Sequence, residues 1–79
     1  MRYVTPNREV LHAENLRQLA EKLWRSEYYQ EPTIEEWMAS SAREAVEING
    51  SVLRTSSPED HVEDLIRAGF ITRLGEHRL

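Results

Sequence analysis

The chain has 79 residues, no cysteine, and fourteen acidic against ten basic side chains, for a net charge of −4. A chain this short forms one domain, residues 1–79, burying only about 60% of its unfolded surface; without cysteine, neither disulfides nor a thiolate zinc site reinforce it. No apolar run approaches the roughly 18 residues of a membrane span, the N-terminus lacks a signal-peptide core, and no basic stripe offers phosphates a track. These bounds suggest a cytoplasmic protein, and the initial Met1 is read as the start of a complete chain.

Residues 1–12 are the least regular in pattern. Tyr3-Val4 suits a short extended piece, while Thr5-Pro6 reads as a helix start, with threonine as cap and proline at the first position. A turn of helix or an irregular arm is expected, with Val10 or Leu11 covering the core. From Glu14 to Tyr28 the pattern sharpens. Leu16, Leu19, Ala20, Leu23 and Trp24 recur at three- and four-residue steps, making one stripe of a helix. Pro32 then pushes Glu31 out of the helical region, and so short a connection folds the next helix back.

Thr33 to Glu36 reads as a capping box, in which the Thr33 hydroxyl takes the Glu36 N–H and the Glu36 carboxylate takes that of Thr33. Ile34, Trp37, Met38, Ala42, Ala45 and Val46 form the apolar face, and Asn49-Gly50 stops the helix. Ser41 falls on that face, where a small side chain allows close approach of another helix.

Val52 and Leu53 lie in a link that suits a short strand. Ser57-Pro58-Glu59-Asp60 starts a third helix with cap, proline and first-turn acids. Gly69 ends it in a Schellman turn, bringing Phe70 to Leu65. Phe70 to Leu74 has strand formers, Gly75-Glu76 a turn, and His77 to Leu79 a returning strand. The expected fold is therefore mainly α: three helices and a small C-terminal β-hairpin. The run VEDLIRAGFITRLGEHRL resembles the tail of winged-helix DNA-binding domains. That resemblance implies a recognition helix, with Arg67, Arg73, His77 and Arg78 as nucleic-acid contacts. The same helix carries Glu59, Asp60, Glu63 and Asp64, which phosphates repel.

Chemistry finds few footholds. There is no glycine-rich phosphate loop, since the glycines at 50, 69 and 75 read as stops or turns. His12, His61 and His77 share no metal-ligand spacing, and His61 reads as solvated surface. No catalytic residue, metal or cofactor is expected. Recognition by surface is left, and three surfaces offer themselves. Tyr28 and Tyr29 join Trp24 and Trp37 around the first interhelical turn, and such aromatics often anchor interfaces. Glu35, Glu44 and Glu47, or Glu59, Asp60, Glu63 and Asp64, suit a basic groove in a partner. The implied partner is a protein with a basic surface, such as a nucleoprotein complex, with no membrane role and a monomer or homodimer as the working form. Small, acidic, cysteine-free and motif-free, the chain resembles in type the phage-encoded inhibitors of host defence, anti-CRISPR proteins among them. That resemblance implies a non-enzymatic inhibitor competing with nucleic acid. The alternatives are a winged-helix-like transcriptional regulator and an adaptor or antitoxin subunit.

Overall fold

The structure, a computed structural model, describes residues 1–26 and 30–74. Two strands, β1 (Arg2–Val4) and β2 (Val10–His12), precede three helices, α1 (Leu16–Arg25), α2 (Ile34–Asn49) and α3 (Pro58–Arg67), and a last strand, β3 (Thr72–Leu74). The strands form one antiparallel sheet in the order β2-β1-β3. Among the described residues the architecture is thus mixed, three helices together with a small three-stranded sheet, with α1 packed beside β2. None of the described helices is long and apolar enough to cross a membrane.

The N-terminus departs from expectation. Thr5-Pro6 opens a hairpin loop, not a helix. Arg8 N–H donates to the Thr5 carbonyl at 2.9 Å, Thr5 N–H to the Glu9 carbonyl at 2.9 Å, and Glu9 N–H to the Thr5 hydroxyl at 3.1 Å. Proline's fixed φ serves the second position of a type I turn as readily as the first turn of a helix. Arg8, at φ +70°, supplies the left-handed residue that closes a three-residue hairpin loop.

This hairpin changes what the C-terminus pairs with. Tyr3, buried on β1, faces Leu11 on one side and Arg73 on the other. β3 therefore docks on β1 (Arg2 opposite Leu74, Val4 opposite Thr72), so among the described residues the first strand of the expected C-terminal hairpin pairs with an N-terminal hairpin that the sequence pattern did not reveal. The strand expected over residues 77–79 lies outside the described residues. Val52-Leu53 forms no strand: Leu53 is buried, while Val52 stands 85% exposed.

The helices follow their caps. α1 contains the whole apolar stripe and starts just after Asn15, which caps it. Asn15 Oδ1 accepts from Gln18 N–H at 2.8 Å, and Gln18 Oε1 accepts from Glu14 N–H at 2.7 Å. In α2, Thr33 Oγ1 accepts from Glu36 N–H at 3.1 Å; the return bond from Thr33 N–H to the Glu36 carboxylate does not form. Gly50, at φ +78°, closes that helix in the left-handed conformation. Ser57 caps α3 through Asp60 N–H at 3.1 Å. Phe70 N–H to the Leu65 carbonyl (3.0 Å) and Gly69 N–H to that of Ile66 (3.1 Å) complete the Schellman ending.

Leu19, Ala20 and Leu23 of α1, Trp37, Met38 and Ala45 of α2, Val62 and Leu65 of α3, and Tyr3 and Ile71 share one core. Full burial of a side chain such as Leu19 or Val62 contributes about 1.5–3 kcal/mol. α1 and α3 pack most closely; α2 leans on both with less contact. Val46, placed on the apolar face by its spacing, is instead 54% exposed. Ser41 does not serve close packing either. It is half-buried and lines a groove.

Candidate protein-binding face

The two candidate acidic surfaces are not equivalent. On α3 the carboxylates are met by arginines of this same chain. Arg54, in the link before the helix, donates from its backbone N–H and from Nε to Asp64 Oδ2, each at 2.9 Å. Its Nη2 reaches Asp64 Oδ1 at 2.9 Å and Glu63 Oε1 at 3.2 Å, while Nη1 lies 3.5 Å from Asp60 Oδ1. Arg67 adds a second cation, 3.2 Å from Glu63 Oε2 and 3.9 Å from Asp64 Oδ1. The hydrogen bonds from Arg54 hold the Asp64 carboxyl down at about 2, and the same contacts raise the Arg54 guanidinium above its ordinary value. Asp60 also accepts from Ser56 Oγ at 2.9 Å. Of the α3 acids, only Glu59 has no side-chain partner among the described residues.

On α2 the situation is reversed. Glu35, Glu44 and Glu47 are exposed, as is Glu36, and no ion pair or side-chain hydrogen bond engages their carboxylates among the described residues. Four glutamates against one arginine, Arg43, leave this helix at −3. Arg43 itself turns to Ser40 Oγ, at 3.3 Å. The last turns differ too. Lys22 and Arg25 end α1 and Arg67 ends α3, whereas α2 has no base there. Glu47 thus sits at the negative end of the helix dipole without compensation, a locally unfavourable arrangement.

Beside α2 runs a groove of about 370 Å³. Its α2 wall is Trp37, Ser41, Glu44 and Ile48, spaced four, three and four apart and so aligned on one face. Leu23, Leu65, Phe70 and Ile71 form the apolar floor and far wall, with Pro6 at one end. The groove exists because Ser40, Ser41 and Ala45 are small where α2 faces the other elements. Glu31 lies on its rim, with Oε2 accepting from Ser40 Oγ at 2.8 Å and its carbonyl accepting from Trp24 Nε1 at 2.8 Å. Ile48 stands 68% exposed at the groove's mouth.

The other candidate residues divide. Tyr28, Tyr29, His77 and Arg78 lie outside the described residues. Arg67 is engaged with Glu63 and Asp64, and the Arg73 guanidinium sits over the Tyr3 ring, 5.8 Å from its centroid. Trp24 is half-buried and Trp37 buried. His61 is a correction: it is fully buried, not solvated. Its Nδ1 lies 2.8 Å from the Arg54 carbonyl and must donate to it, since a carbonyl only accepts. The ring meets Trp37 edge-on at 5.1 Å, and Nε2 has no partner among the described residues. Burial lowers the imidazole pKa below its ordinary 6.5, outweighing the carbonyl contact and the charge of Asp64. The signal was present in the spacing Pro58, His61, Val62, Leu65, which puts His61 on the apolar stripe of α3.

Among the described residues no group of three or more His, Asp or Glu is arranged to hold a metal ion. The groove that the sequence did not reveal and the unpaired glutamates beside it are the features that stand out. In comparisons with known proteins, the chain matches no family model, no curated protein and no solved structure.

Proposed function

We propose that this chain is a non-enzymatic protein-binding domain whose working surface is the acidic face of α2, directed at a partner with a basic surface. One observation carries the reading: the α2 carboxylates are exposed and unpaired among the described residues, while Asp60, Glu63 and Asp64, three of the four on α3, are taken up by Arg54 and Arg67. Uncompensated like charge on one helix costs stability locally, and it acquires a purpose when a cationic surface completes it. In its most specific form the reading is an inhibitor of a nucleic-acid-handling complex, as in anti-CRISPR proteins. Glu36 and Glu47, eleven residues apart on one helical face, span about 16 Å and place negative charge along a line, as a phosphate backbone does. The occupied state of Arg67 and the stacking of Arg73 on Tyr3 favour this over direct DNA binding by a winged-helix-like regulator.

The test uses the immobilised chain in a bacterial lysate. A basic protein or nucleoprotein complex should be retained at low salt and released as salt rises, because the attraction is between exposed charges. The chain alone should not shift duplex DNA in the same buffer. Salt-sensitive binding to duplex DNA, lost on Arg73→Ala, would overturn the proposal in favour of a regulator.

A further inference from the structure

We infer that the groove beside α2 seats one bulky apolar side chain of an amphipathic, lysine- or arginine-bearing segment of the partner protein, while the segment's cations meet Glu44 and Glu47. This rests on the reading of α2 as the acidic working face and adds what the face recognises beyond charge. The groove is at the small end of the volume range of binding pockets, suited to one or two side chains and not to a large ligand. Its floor, formed by Leu23, Leu65, Phe70 and Ile71, is apolar, so burying a partner's aliphatic or aromatic group there is favourable in itself. Charge selects the occupant. Glu44 is part of the wall, Glu47 is one turn further along, and no base follows in that last turn. A second copy of this chain would set a helix of net charge −3 against its own like, which argues against self-association through this face. A helix or extended strand carrying an apolar anchor between cations satisfies both the groove and its rim, in the manner of helix-in-groove recognition.

The experiment needs no natural partner. Three synthetic peptides of roughly twelve residues serve as probes: an amphipathic one of leucine, lysine and a single tryptophan, its scrambled isomer, and a lysine–serine peptide without apolar residues. The amphipathic peptide should bind the isotope-labelled chain and move the amide signals of Ser41, Glu44, Ala45, Ile48 and Phe70. Ser41→Leu, which fills the groove from a half-exposed position, should weaken that peptide at least about tenfold without lowering the melting temperature. Ile48→Ala should act in the same direction, and the double variant Glu44→Lys/Glu47→Lys should abolish binding of every lysine peptide. If the lysine–serine peptide binds equally well and Ser41→Leu changes nothing, the groove is not the seat, though the acidic-face reading survives. Signals moving elsewhere, or a dimer formed through this face, would equally overturn the inference. If no peptide binds and the double variant leaves partner retention intact, both readings fall.

Discussion

Helices α2 and α3 are both acid-rich, both capped by a hydroxyl side chain and both closed by a left-handed glycine. Their carboxylates nonetheless live in different electrostatic company. On α3 all the acids but Glu59 are met within the chain: Arg54 crosses from the preceding link to three of them, Arg67 supplies the last-turn cation, and His61 fixes the link to the core through the Arg54 carbonyl. α2 has caps and a core face, but its charges answer to nothing else among the described residues. Acid content alone therefore does not mark a binding surface; what matters is whether the same chain already neutralises it.

The largest way to probe the contrast is through packing. Leu65→Ala in α3 should cost about 2–5 kcal/mol, as for other buried large-to-small changes, whereas Ile48→Ala near the end of α2 should cost roughly 0.5 kcal/mol or less. Chemical denaturation distinguishes them. Comparable losses would mean that the end of α2 is as much a part of the core as α3.

A second probe uses pH. His61 is held neutral with a pKa below 6.5, so the unfolded chain binds its proton more readily than the folded one. Stability should then be greatest above 6.5 and fall as pH drops through that value towards the lower folded pKa. Denaturation midpoints from about pH 7.5 to about pH 5, above the carboxylate range, read this out. His61→Gln, which keeps a donor for the Arg54 carbonyl, should flatten the slope; an unchanged slope would assign it to another group. The Asp64 carboxyl, held at about 2 mainly by Arg54, contributes stability above its unfolded value of 3.8 that is lost as pH falls towards 2. Arg54→Ala should return its titration towards 3.8 by carboxyl NMR.

The smallest effect is the most diagnostic in sign. Glu47→Lys places a cation where the α2 dipole is negative and should raise stability by about 0.3–1 kcal/mol. The equivalent step on α3, Glu63→Lys, removes a partner of both Arg54 and Arg67 and should lower it. A residue whose reversal stabilises the free chain yet weakens binding is one kept for recognition.

Much of this arrangement was legible in the residues themselves. The three- and four-residue steps of Leu16, Leu19, Ala20 and Leu23, the caps at Thr33 and Ser57, and the stops at Gly50 and Gly69 are local signals, and they set the helices. Thr5-Pro6 misled because proline's φ suits a turn and a helix start alike, and with it went the sheet, since β3 needs the N-terminal hairpin as its partner. Other features needed the tertiary arrangement. Arg54 meets Asp64 only because the link doubles back along α3, and the groove depends on how far α2 stands from its neighbours.

The claim that α2 and not α3 is the working face is tested most directly by matched charge reversals. Two variants, Glu44→Lys/Glu47→Lys on α2 and Glu59→Lys/Glu63→Lys on α3, change net charge equally. Retention of the partner from lysate by each, compared at one salt concentration and with folding verified by circular dichroism, decides it. The account predicts loss of retention for the α2 variant and near-normal retention for the α3 variant. The reverse order, or equal losses from both, would contradict it.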